Sequence, residues 1–276
     1  MTLTFGDRTH VVGILNVTPD SFSDGGRYPT VERAIRAASD MLEAGASMVD
    51  IGGESTRPGS EPVPLEIELA RTIPVIRELA RRGLGPVSID TYKAEVARQA
   101  VGEGAAVIND ISGGEFEPLI LSVAAEAKCP IILSHTRGRP ATMQEGTWTY
   151  RPDVVTAVRN ALRVARESAH RAGVQFPQIW LDPGIGFGKT LDENLALLRN
   201  LSHFKALDAP LLVGTSRKGF IGHLTGRDPS QRDYGTAASV ALAIAGGADL
   251  VRVHDVPAMT DVVRVADAWV RGQEYR

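Results

Sequence analysis

The sequence predicts a single-domain (β/α)8 barrel with a short N-terminal extension capping its bottom. Three observations carry that reading: eight short apolar runs rich in β-branched residues, helix-length segments between them, and a polar side chain closing nearly every run. Strand and helix alternate through 276 residues at roughly 34 residues per unit, near the ~250 residues typical of an eightfold barrel. No Pro/Ser/Gly-rich linker interrupts the chain, so residues 1–276 read as one domain. A doubly wound open sheet is the rival, but it needs no eighth strand and usually supplies a Gly-rich first turn.

The runs are VVGILNV (11–17), MVDIGG (48–53), VSIDT (87–91), VINDI (107–111), IILSH (131–135), IWLDP (179–183), LLVGT (211–215) and LVRVHD (250–255). Apolar residues at successive positions suit strands buried on both faces of a parallel sheet. Between them, TVERAIRAASDMLEAG (30–45) is expected to open with Thr30 as a cap, run at helical spacing and stop at Gly45. The segments 64–83, 151–173 and 256–272 repeat the pattern, with Pro74 expected to kink the first of these.

Apolar residues make up 43% of the chain, as in an ordinary globular protein. Net charge is −3 with acids and bases interspersed, which argues against a nucleic-acid or membrane surface. An anionic ligand must then rely on a few local cations. The single cysteine, Cys129, sits in the apolar run CPIILSH and reads as a buried thiol. The N-terminus lacks a signal-peptide core and no window is long and apolar enough to span a membrane, so a cytoplasmic location is expected.

The polar residues at the run ends are Asn16, Asp50, Asp90, Asn109, His135, Asp182, Ser216, Arg252 and His254. Any one alone can be a helix cap. Taken together they point to a shared pocket at the C-terminal rim, where barrel enzymes assemble their sites. Arg252 and His254, two apart on one strand, face the same way and suit phosphate oxygens, unless a core carboxylate such as Asp255 satisfies them. Asp90, Asn109 and Asp182 offer acceptors and an amide to a planar heterocycle, or hard oxygen ligands to a metal. In GTSRKGF (214–220), Lys218 lies near a predicted helix N-terminus and suits a carboxylate or ring carbonyl, although spacing alone equally describes a solvated lysine.

Two loops test easy motif readings. LDPGIGFGKT (181–190) is no phosphate loop, because the first glycine of G-x-x-x-x-G-K-[ST] falls on Pro183; it reads as a bent loop presenting Asp182. GGESTRPGS (52–60) carries Arg57 and, standing alone, reads as an ordinary surface turn. The opening loop, NVTPDSFSDGG after the first run, places a rigid Asn16 ahead of a polar stretch with Phe22 and the bendable Gly25-Gly26.

In order, VVGILNVTPDSFSDGG, DIGGESTRPG, SIDT, IND, LDPGIGFGK, GTSRK and RVHD closely resemble the dihydropteroate synthase family over roughly residues 11–270. The first two motifs are long and specific, whereas IND or SIDT alone would mean little. The resemblance implies a TIM barrel, usually a homodimer, joining 6-hydroxymethyl-7,8-dihydropterin pyrophosphate to 4-aminobenzoate with Mg²⁺, in folate synthesis. It implies a pterin site of Asp90, Asn109, Ile111, Asp182, Phe187, Gly214, Lys218 and Arg252. It implies a pyrophosphate site of Asn16, Thr56, Arg57, Arg252 and His254, with Asn16 also approaching Mg²⁺. Phe22, Thr56, Pro58, Lys218 and Gly219 are implied around 4-aminobenzoate, with Asp20 in the mobile first loop. Asn16, Asp90, Asp182, Lys218, Arg252 and His254 are the implied catalytic set.

The chemistry agrees with that set. Departure of pyrophosphate leaves negative charge that cations neutralise, and the aniline nitrogen is nucleophilic when neutral, so no nucleophile–base arrangement is needed. Two positions depart from the family pattern: Ser134 where many members carry methionine, and Gly219 where several carry serine. Both are expected to change pocket packing or affinity without abolishing activity. A corrinoid-directed methyl transferase shares the pterin carboxylates but has no use for Arg252, His254 and Arg57; a non-catalytic paralogue would have lost Asn16, Lys218 or His254.

Overall fold

The apolar runs all become strands of one parallel sheet, in a computed structural model that describes residues 3–18, 27–143 and 149–272. The strands are β1 (His10–Asn16), β2 (Met48–Gly52), β3 (Val87–Asp90), β4 (Val107–Asp110), β5 (Ile131–Ser134), β6 (Ile179–Asp182), β7 (Leu212–Val213) and β8 (Leu250–Val253). Neighbours follow the order β6-β5-β4-β3-β2-β1-β8-β7. A single parallel bridge, Leu181 with Leu211, joins β6 to the start of the β7 run and nearly closes the barrel. This seam is the weakest because β7 keeps only two residues before the chain turns away at Gly214.

The helices that cover the sheet are α1 (Arg27–Glu43), α2 (Leu65–Arg81), α3 (Ala94–Gly102), α4 (Leu119–Ala127), α5 (Val154–Arg171), α6 (Leu191–Arg199), α7 (Gly219–Thr225), α8 (Asp233–Ala245) and α9 (Val256–Arg271). Thr30 lies inside α1, which starts at Arg27, so it is not the cap that the sequence suggests. Asp153 caps α5 by accepting from Thr156 N, and Asp255 caps α9 through Ala258 N. Pro74 is accommodated within α2.

Period-two alternation layers the barrel interior. The lower layer is apolar: Val12, Met48, Val107, Ile132, Trp180, Leu212 and Leu250 pack together. Two residues further along the same faces come Asp50, Asn109, Ser134, Asp182 and Arg252. The strand register completes the alignment, pairing Asn16 with Gly52, Gly52 with Asp90, and Asp90 with Asn109. Polar residues thus meet at one level because the strands beneath them are in register.

The N-terminal extension does cap the bottom. Leu3 and Phe5 pack on the lower layer, and the Phe5 ring meets Trp180 edge-on at 5.1 Å. Thr9 donates to both carboxylate oxygens of Asp267 on α9, and Arg271 ties Asp267 to Gly6 O and Ala248 O. The extension is therefore held by the last helix as well as by apolar contact.

Candidate active site

Asp50 organises the polar layer. Fully buried at the centre of β2, it accepts from Ser88 Oγ (2.6 Å), Asn109 Nδ2 (2.9 Å) and Arg252 Nε (2.6 Å). Arg252 also donates through Nη2 to Asp90 Oδ2 at 2.6 Å. One guanidinium therefore bridges two buried carboxylates, and burial opposes its charge less than Asp50 and Asp90 favour it, so its proton is held more tightly than usual. The carboxylates that satisfy Arg252 are these two, while Asp255 serves α9.

This arrangement leaves defined groups facing the rim. Asp90 Oδ1 is buried with no hydrogen-bond partner. Burial pushes the Asp90 carboxyl up to about 7, and Asp50 adds to the shift while Arg252 and Lys218 oppose it. Asn109 donates one of its two amide hydrogens to Asp50, which fixes the orientation of the amide and leaves its carbonyl oxygen to accept. Asp182 takes Gly184 N at 2.7 Å and Ser134 Oγ at 3.2 Å, and burial raises its proton affinity. Ser134 thus gives Asp182 a donor that a methionine would lack.

Lys218 is not the solvated lysine of the simpler reading. Its ammonium lies 3.9 Å from the centre of the Phe187 ring, a cation–π contact, at the N-cap of α7. Burial and the neighbouring Arg252 lower it to about 8. Phe187 belongs with Ile111, Tyr92, Met143 and partly buried Phe116 to an apolar cluster that walls the site. The bent loop 183–189 is locked against β5: a Cβ on Gly184 (φ +69) would lie 1.8 Å from His135 O, and Lys189 Nζ donates to the carbonyls of His135, Gly184 and Phe187. Lys189 therefore serves the loop's backbone.

On the opposite side, His254 lies just past β8 with Nδ1 2.9 Å from Ser216 Oγ. Burial lowers its pKa to about 4, helped by Arg252, Arg217, Arg57 and Lys218, so the imidazole is neutral at pH 7. It suits phosphate oxygens by offering a hydrogen bond and not a positive charge. Asn16 is half-buried, and its Oδ1 and Asp90 Oδ2 each lie 3.6 Å from where a Cβ on Gly52 would sit. Gly214 is half-buried beside the Arg252 side chain, and exposed Gly219 opens α7 with clear space around it. Thr56 is half-buried, and Arg57 and Pro58 are exposed in the loop above β2. Phe22, Asp20 and Gly25-Gly26 lie outside the described residues. Among the described residues no three His, Cys, Asp or Glu side chains gather as a metal site.

A family model described as pterin binding enzyme matches residues 12–254. A dihydropteroate synthase of Synechocystis sp. is 54% identical over 96% of this chain and 91% of its own length. This chain belongs to the dihydropteroate synthase family. A Xanthomonas albilineans dihydropteroate synthase solved with 4-aminobenzoic acid has a TM-score of 0.88 at 44% identity, covering 98% of this chain and 95% of that one. A Yersinia pestis dihydropteroate synthase in a sulfonamide drug complex has a TM-score of 0.90 at 41% identity, covering 99% and 97%.

Within this family setting, Tyr92, Phe116, Met143 and Lys189 are contributors that the sequence motifs do not mark, whereas Asp50 stands among the run-end residues and only its partners are new. Nothing comparable marked Met143, which reaches the wall from a loop. His135 points away from Ser134 along β5 and packs against Tyr150 instead. In the ligand-free protein, NMR titration of His254 should give a midpoint near 4; a midpoint at or above the ordinary 6.5 would contradict this account of its surroundings.

Proposed function

We propose that the chain condenses 6-hydroxymethyl-7,8-dihydropterin pyrophosphate with 4-aminobenzoate, giving 7,8-dihydropteroate and pyrophosphate. The observation that carries the reading is Asp90 Oδ1, a buried acceptor without a partner, beside Asn109 Oδ1 and Asp182 and faced by an apolar wall. Leaving such an atom unpaired costs about 1–3 kcal/mol, which a ring bearing N–H donors recovers on binding.

The residues divide the work by charge. Asp90 and Asp182 accept from the pterin edge and stabilise positive charge developing at its exocyclic carbon. Lys218 and Phe187 hold the ring's carbonyl side and face, with Ile111, Gly214 and Arg252 completing the pterin site. Asn16, Thr56, Arg57, Arg252 and His254 meet the departing pyrophosphate, the cations by charge and neutral His254 by a hydrogen bond. Phe22, Thr56, Pro58, Lys218 and the Gly219 N–H surround 4-aminobenzoate, and the aniline nitrogen attacks as its neutral form. Catalysis is then leaving-group stabilisation and positioning, with no covalent enzyme intermediate.

Mg²⁺ fits this donor set: the opening between Asn16 Oδ1 and Asp90 at Gly52 offers few protein oxygens, and Mg²⁺ commonly combines one or two such ligands with phosphate oxygens and water. Asn16 would hold it, and when bound it would supply charge neutralisation to the leaving group.

The whole chain, 1–276, acts as one domain in this reading, in the cytoplasm and without a nucleic-acid or membrane partner. It pairs as a homodimer through α8 and α9, which pack together and expose Tyr234, Leu242, Val265 and Trp269. Replacing Trp269→Glu should leave a monomer in sedimentation analysis, and an unchanged particle size would remove that interface.

The purified protein should release pyrophosphate when the pterin pyrophosphate, 4-aminobenzoate and Mg²⁺ are all present, and Arg57→Ala should lower kcat by about 10–100-fold. Absence of release from the complete mixture would overturn the assignment.

A further inference from the structure

Beneath the loop that follows β2 lies a buried charged cluster which the reaction does not touch. Glu54 (6% exposed) and Glu68 (1%) flank Lys93. The Lys93 ammonium donates to Glu54 Oε2 and Glu68 Oε2, each at 2.5 Å, and to Val63 O at 2.6 Å. All three of its hydrogens therefore have acceptors. Burial alone would lower Lys93, yet its contacts with the two carboxylates leave its proton held more tightly than usual.

Glu54 is the member of this cluster that reaches both walls of the site. Its Oε2 accepts from Val63 N at 3.1 Å, so Val63 is gripped at its N–H by Glu54 and at its carbonyl by Lys93. The segment between Glu54 and Val63 contains Thr56, Arg57 and Pro58, and both its ends are thereby fixed at one place. Ser60 Oγ closes the turn internally onto Ser55 O and Arg57 O. Glu54 Oε1 accepts from the Tyr92 hydroxyl at 2.8 Å, and Tyr92 stands in the apolar wall with Phe116, Ile111 and Phe187.

The four consecutive residues Asp90, Thr91, Tyr92 and Lys93 show how short the connection is. Asp90 faces the rim, Thr91 Oγ1 donates to Glu68, Tyr92 donates to Glu54, and Lys93 binds both glutamates. The loop hangs from this turn through Glu54, while Asp90 and the wall keep partners of their own in Arg252 and the apolar cluster.

We propose that Glu54 is a positioning residue which couples the placement of the Arg57 loop to the ring-binding wall through Tyr92. The inference rests on the synthase reading given above. In that reading the loop serves pyrophosphate and 4-aminobenzoate while the wall serves the pterin ring. Misaligning the loop should then penalise the pyrophosphate half of the substrate more than its ring.

The test compares wild type with Glu54→Gln, which keeps the shape and one acceptor but removes the charge that Lys93 and Val63 N–H meet. Steady-state kinetics are paired with equilibrium binding of 6-hydroxymethyl-7,8-dihydropterin, the ring without pyrophosphate. The expected result is a fall of at least about tenfold in kcat and a rise of about tenfold in KM for the pterin pyrophosphate. Affinity for the ring alone should change by less than about threefold. Equal loss for both ligands, or kinetics unchanged from wild type, would overturn the inference. If Glu54→Gln does not fold, Tyr92→Phe decides: it removes one hydroxyl and should lower kcat/KM by about three- to tenfold, and a change under about twofold would overturn the coupling. Wild-type protein without turnover would defeat the synthase reading itself, whereas turnover with indifferent variants would defeat only this inference.

Discussion

Arg252 shared between Asp50 and Asp90 is the interaction on which the rest of the site depends. Burying three charges in a barrel interior is unfavourable unless nearly every lone pair and hydrogen finds a partner. Ser88 and Asn109 complete the shell of Asp50, and the only atom of the Asp50–Asp90 pair left over is Asp90 Oδ1. The demand for satisfaction thus selects the one group that faces a ligand. It also sets the direction of Asn109, whose amide is committed inward, and holds Asp90 near the point where burial and the guanidinium oppose each other.

The barrel beneath makes this network possible. An apolar layer with Trp180 and Met48 fills the lower interior, and the next layer up is polar in one register across β2, β3, β4 and β8. Loop loads are then carried separately. Lys189 fixes the 183–189 loop through three carbonyls, and the Glu54–Lys93–Glu68 cluster fixes the loop after β2. The strands present Asp90, Asn109, Asp182 and Arg252, and the loops that add to them are held by buried charges that touch no ligand.

Much of this was legible in the sequence because strand periodicity is a local signal. Eight apolar runs gave eight strands, and the polar residue at each run end marked the rim. Asp90, Asn109, Asp182 and Arg252 were found that way. What stayed hidden depends on contacts distant in sequence. Asp50 was visible as a run end, but its link to Arg252 joins residues 202 positions apart in sequence. The neutral state of His254 follows from burial and four cations drawn from two loops and β8, which no motif records. Met143 joins the wall from a loop, and the start of α1 at Arg27 precedes the Thr30 cap that local rules suggest. Ser134 was noticed as a departure, while its role as a donor to Asp182 required the pairing of β5 with β6.

The most direct measurement of the central claim is the activity of a folded Asp50→Asn variant, whose side chain touches no ligand in this account. With its charge gone, Arg252 loses one carboxylate and Asn109 its fixed direction. The account predicts a fall in kcat/KM of at least about 100-fold, or ~2.7 kcal/mol, with the far-ultraviolet circular dichroism of the wild type retained. A folded variant within about threefold of wild-type kcat/KM would contradict it.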